Sequence, residues 1–236
     1  LQFQEVINLK INNKNIEIFK AKLSERVIGP ATIDITSLWE NQFLEPIYYT
    51  GKYKFKPIKL VLDVVCTNNN ELELMKSNLI KELCQCTIKF DDIADITYSC
   101  IQNGDVEIED IMPGNQMLTI NLYGIAEGNQ EIENLSSTTS KTINVGGTSK
   151  TPCKLTLNLT SATTITITGL SENNITLTNV NGTVIIDGSK CVILENNVNA
   201  FGKSNLKDFP SLNCGANNIT FSIAVDGSIT YKPRYI

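Results

Sequence analysis

The chain has 236 residues, with 20 Lys and Arg against 25 Asp and Glu, a formal net charge of −5 and no His. That length buries a sizeable core and predicts two domains. The acidic balance disfavours a nucleic-acid reader with a basic patch, the lack of His removes the commonest general base and metal ligand, and no stretch reaches the roughly 18–20 continuous apolar residues of a membrane-spanning helix.

The first residues, Leu1 to Glu5, have neither a basic n-region nor an apolar h-region and do not read as a signal peptide. The chain does not start with Met, so residues are expected to precede Leu1. Val6–Ile11, a turn over Asn12–Asn15, and Ile16–Phe19 read as strand, turn and strand. A further short strand is predicted at Ala31–Ile35. Residues 37–51 are different: they hold Trp39, the only Trp, with Phe43, Tyr48 and Tyr49, and show no clear period. Such a loop either reaches a neighbouring subunit as an arm or folds back over its own domain.

Lys56–Cys66 is β-branched and alternating, a good strand. Asn68-Asn69-Asn70 stops it. With Asn70 as N-cap and Glu73 at N3 the start is box-like, and Leu72, Met75, Leu79, Leu83 and Cys86 recur at helical spacing. This predicts one amphipathic helix over 71–86, its stripe facing a core. Short strands follow at Thr87–Phe90, Thr97–Ile101, Val106–Ile111 and Met117–Tyr123, with turns at Asn103-Gly104 and Pro113-Gly114. The expected N-terminal domain, 1–130, is therefore α+β: a barrel or sandwich with one helix, closed by the strand near 117–125.

Residues 131–150 lie in a run rich in Ser, Thr, Gly, Asn and acid that reads as a linker, with a short strand at Thr142–Val145. From 151 to 236 the chain reads as a β-sandwich, with strands at Lys154–Leu159, Thr164–Thr168, Asn174–Leu177, Thr183–Ile186 and Cys191–Leu194 and turns every 8–12 residues or so. It closes on two alternating runs around Asp226-Gly227, a hairpin signal. A two-residue loop would oppose Phe221 to Lys232 and Ile223 to Thr230, mixing the faces. A three-residue loop, Val225-Asp226-Gly227, opposes Ile223 to Ile229 and Phe221 to Tyr231 and keeps one face apolar, which favours it. The fold class expected is mainly β.

Seven Cys are scattered at 66, 84, 86, 100, 153, 191 and 214. An odd, dispersed set reads as reduced thiols of a protein made in the cytosol. Cys84-Gln-Cys86 is half a metal site with no second half at zinc-like spacing. Asp91-Asp92 reads as a turn, and Glu107, Glu109 and Asp110 as a solvated strand face, rather than as the two opposed carboxyls of a glycosidase. No G-x-S-x-G, P-loop or dinucleotide fingerprint is present. No catalytic, cofactor-binding or metal residue is assigned, and the chain is not expected to be an enzyme.

One stretch carries more. Asp187-Gly188, Asn199-Ala-Phe-Gly202, Asp208-Phe-Pro-Ser-Leu212, Gly215-Ala-Asn-Asn-Ile-Thr-Phe221 and Ile229-Thr-Tyr-Lys-Pro-Arg-Tyr235 together resemble the end of a bacteriophage distal tail protein (Dit). The helix ending at Leu83, Lys89-Phe-Asp-Asp92 and Tyr98 resemble that family's N-terminal half more loosely. In motif the resemblance covers about 187–236 and 71–98. It implies a split-barrel N-terminal domain, a galectin-like C-terminal sandwich, and a hexameric ring at the distal end of a phage tail tube. The implied partners are further copies of the chain, the major tail tube protein, the tail hub or tip (tail-associated lysin) protein and a receptor-binding protein, with DNA only passing through. The implied location is the virion, after synthesis in the host cytoplasm. Two alternatives remain: a carbohydrate-binding adhesin module, and a hub or baseplate component of a contractile tail or tailocin.

Overall fold

The computed structural model describes residues 8–38, 47–53 and 55–236, which divide into two compact units, one up to Glu127 and one over Gly128–Tyr235. Both are built mainly from antiparallel strands.

In the first unit, β1 (Leu9–Ile11) turns at Asn12-Asn13, both at positive φ, into β2 (Lys14–Asn15). Two left-handed residues are what a tight two-residue hairpin needs, and Asn supplies them cheaply. The predicted strand Ile16–Phe19 is instead a 3-10 turn: Asn15 accepts from the Glu17 N–H at 3.1 Å, and Ile16 and Phe19, three apart, both bury. Period three fits a 3-10 helix better than the alternation that suggested a strand. β3 (Ala21–Ile28) follows, then β4 (Ile33–Leu38) and β5 (Ile47–Tyr53). The predicted irregular loop over 37–51 is thus corrected at both ends, where 37–38 and 47–51 are strand; Trp39 and Phe43 lie outside the described residues.

β6 (Lys56–Val65) leads into α1 (Asn69–Leu83). The N-cap is Asn68, two residues before the predicted Asn70: its side chain accepts the Glu71 N–H at 2.9 Å. Glu71 in turn accepts from the Thr67 N–H and hydroxyl, so the box forms two residues earlier than expected. Leu72, Leu79 and Leu83 are buried, and α1 packs on β6 and on β7 (Gln85–Phe90) and β8 (Thr97–Gln102). Each fully buried leucine contributes about 2 kcal/mol. Cys86, expected to end the helical stripe, belongs to β7, because α1 ends at Leu83. β9 (Glu107–Met112) and β10 (Asn115–Glu127) complete the unit, whose sheet runs β2-β1-β7-β8-β10-β6-β3 with β9 added to β10.

The expected linker over 131–150 is overturned: Glu131–Val145 is one strand, β11, of the second unit. Only Leu135, Ile143 and Val145 of it reach the core, so its composition looks like that of a linker. The predicted short strands are likewise longer. β12 (Thr151–Thr168) and β13 (Ile175–Asp187) each join two of them. β14 (Val192–Glu195), β15 (Val198–Asn199) and β16 (Ser211–Leu212) are short, and β17 runs unbroken over Gly215–Tyr231. The order is β11-β17-β12-β13-β14-β15. The long strands carry register breaks at Leu135/Thr138 and Leu159/Thr163, with Ser137 and Asn179 at positive φ near them. Bulges bend strands, and residues from both halves (Leu155 and Leu157 with Ile165 and Ile167) share one core. The second unit is therefore a layered β structure made by bent strands.

The closing hairpin does not exist. β17 lies between β11 and β12, with Gly227 opposite Leu135 on one side and Leu157 on the other. Both halves of the supposed turn have other work. Asp226 accepts the Ser137 N–H at 2.8 Å and so holds the β11 bulge. At Gly227, φ is 155° and a Cβ would stand 2.0 Å from the Thr156 carbonyl oxygen. Glycine is there for close approach of β12, not for reversal.

Candidate assembly surfaces

The carboxylates weighed in the sequence separate widely in role. Asp91 and Asp92 open a 3-10 turn, and Asp92 receives both Arg26 terminal nitrogens, one at 2.7 Å. The Arg26 guanidinium holds the Asp92 carboxyl below its usual range and lies 4.4 Å from the Phe90 ring centroid. This is a bidentate pair locked over an aromatic ring. Glu107, Glu109 and Asp110 are all exposed on β9. Among the described residues no three His, Cys, Asp or Glu gather as metal ligands would.

The residues that carry the resemblance meet at one end of the second unit. Asp187 caps the turn after β13. Burial pushes its carboxyl up, but hydrogen bonds from the Ser189 hydroxyl (2.6 Å) and the Ser189 and Lys190 N–H groups outweigh this and hold it low. The Gly188 N–H donates to Cys153 O at 2.9 Å, and Cys153 N–H donates to Pro210 O at 3.1 Å. Asn217 accepts the Asn213 N–H and donates to the Asn213 and Gly215 carbonyls, closing the loop before β17. The Arg234 N–H donates to the Thr151 hydroxyl at 3.2 Å. Phe221, Ile229 and Tyr231 are buried in the core, with Ile223 packed partly against it. These residues stitch a scaffold.

Surfaces with unmet potential lie on the first unit. β4 and β5 pair only with each other among the described residues. β9 has every residue exposed, including Ile108, Ile111 and Met112, the last at 61 %, and among the described residues pairs only with β10. Phe55 and Tyr123 stack 6.0 Å apart in the lining of a concavity of about 470 Å³, to which Cys86, Cys100, Ile101 and Ile125 also contribute. Open strand edges and half-exposed aromatics are the ordinary material of protein–protein contact. Sequence reasoning found the β4–β5 region through its aromatics. It passed over β9 because alternating acid and Ile on a strand reads as a solvated face.

Residues 146–235 match the siphovirus-type tail component family, C-terminal domain. Among curated protein sequences none matches the chain. Of solved structures, the Dit protein of phage SPP1, described as a paradigm of hub adsorption apparatus in Gram-positive infecting phages, is similar with a TM-score of 0.78 at 12 % identity, covering 98 % of this chain and 100 % of that one. A chain of the phage P2 baseplate in its activated conformation with Ca is similar with a TM-score of 0.57 at 10 % identity, covering 97 % and 98 %. The same baseplate with Sr gives a TM-score of 0.56 at 10 % identity, over 96 % and 98 %. Most of the second unit, residues 146–235, is thus similar to a siphovirus-type tail component domain. The resemblance to the distal tail protein family, drawn from the closing residues, is borne out.

Proposed function

We propose that this chain is a distal tail protein: it assembles as a hexameric ring at the end of a phage tail tube, joins the tube to the hub or tip protein, and leaves a central channel through which DNA passes. The observation that supports this most is the tail component domain at 146–235, within a fold similar along nearly its whole length to the SPP1 hub protein. The open edges of β4–β5 and β9 and the aromatic concavity supply surfaces for self-association and for partners, while the second unit supplies a rigid body. A net charge of −5 suits a ring whose wall should not trap DNA. In this reading the protein is structural, resides in the virion and catalyses nothing.

Native mass measurement and negative-stain imaging of the purified chain test the reading. Rings with a central hole and a mass of six protomers support it. A strict monomer that binds cell-wall glycan on an array would replace it with the adhesin reading.

A further inference from the structure

The β7–β8 ladder places Cys86 directly opposite Cys100. The hydrogen-bonding phase is fixed on both sides of β7. The Gln102 N–H donates to Cys84 O at 3.2 Å, and the Asn12 N–H donates to Thr87 O at 2.9 Å. Cys84 and Gln102 are therefore a hydrogen-bonded pair, and so, two residues on, are Cys86 and Cys100. Such pairs hold their Cα atoms about 5.5 Å apart, within the range that a disulfide spans. Both side chains point to the α1 side of the sheet and are buried, at 5 % and 4 % exposure. At Gly124, the residue opposite Cys100 on β10, a Cβ would stand 2.7 Å from Ile58 Cδ1 and 3.0 Å from the Cys100 sulfur, so the glycine leaves space for the Cys100 side chain. The other described cysteines lack any such facing partner, and Cys84, Cys191 and Cys214 are exposed.

We infer that Cys86 and Cys100 form a redox site, a cross-strand dithiol that a small-molecule disulfide converts to a Cys86–Cys100 bond within the intact fold. The Cys86 sulfur, as thiolate, attacks one sulfur of the small disulfide. That S–S bond breaks, and the departing thiolate takes up the proton Cys86 released. Cys100 then gives up its proton, its sulfur attacks the Cys86 sulfur of the mixed disulfide, and the second small thiol leaves carrying that proton. Two protein thiols are oxidised and one small disulfide is reduced to two thiols. The order of attack follows from the surroundings. The facing Cys100 thiol lowers the Cys86 thiol below its ordinary range, against the effect of burial, whereas Cys86 and burial together raise Cys100. The Cys100 thiol also lies 3.6 Å from the Tyr98 carbonyl, to which it can donate. Closing this link ties β7 to β8 across the turn between them and restricts the unfolded chain. The inference rests on the first unit alone and is independent of any ring.

The test uses the full chain carrying Cys84→Ser, an exposed position whose replacement leaves the core intact. It is incubated with excess oxidised glutathione, quenched in acid, unfolded with an alkylating agent and mapped by mass without reduction. The expected result is a peptide pair joined through Cys86 and Cys100, lighter than its sum by two hydrogens, that separates on reduction. The unfolding temperature rises by roughly 5 °C or more in the oxidised form. Recovery of Cys86 and Cys100 both alkylated, or both carrying glutathione, would overturn the inference, as would a link whose formation leaves the unfolding temperature unchanged.

Discussion

At Gly227 one missing Cβ decides how β17 and β12 meet. Replacing it with Ala must move the Thr156 backbone, so Gly227→Ala is expected to destabilise the second unit by about 3 kcal/mol or more. Gly202→Ala, where a Cβ meets open space, changes stability by less than about 0.5 kcal/mol. Denaturant unfolding of the two variants checks the contrast; equal effects would restore a turn at 226–227. A second residue gives a pH signature. Hydrogen bonds from Lys20 and from the Thr67 hydroxyl and N–H hold the Glu71 carboxyl at about 2 when folded, against an ordinary 4.5. A depressed carboxyl stabilises the fold above its unfolded value and loses that contribution as pH falls towards the folded one. The unfolding temperature should therefore fall between about pH 4.5 and 2 by a component that Glu71→Gln removes. Because the pair is partly solvated, the component is small and shrinks with added salt.

At the scale of elements, α1 was legible because three signals agree: an Asn cap, acid in the first turn and a leucine stripe. The sequence placed the cap two residues late, since Asn68, Asn69 and Asn70 offer equal chemistry and only the β6 exit selects Asn68. Asn68→Ala should cost about 1 kcal/mol, whereas Asn70→Ala, one residue inside the helix, should cost little; thermal unfolding distinguishes them. The second unit was legible as alternation but not as long strands. Its bulges insert polar residues that look like turns, and β11, an edge strand with three buried side chains, has the composition of a linker. Asp226-Gly227 misled for the same reason: a close approach and a tight turn both call for glycine. The β4–β5 pair is one of the surfaces proposed to serve assembly. Deleting 37–51 should leave the circular dichroism of the chain close to the parent and abolish higher-order assembly. Normal assembly without it would remove the pair from the account.

For the whole molecule, the mainly β character was readable from alternating runs along the chain, and the tail component family from the closing fifty residues, which build the scaffold at Asp187, Asn217 and Arg234. The surfaces proposed for partners were not, because Phe55 precedes β6 and Tyr123 occupies an ordinary position of β10, with no pattern that marks them. The account stands on the chain acting as a ring on a tube, and a ring of this kind need close only where a tube end templates it. The most direct measurement is therefore electron microscopy of the purified chain mixed with tail tubes of the same phage. The account predicts six-fold density with an open axial channel at one tube end. Bare tube ends, with the chain left as a free monomer at the same concentration, would contradict it.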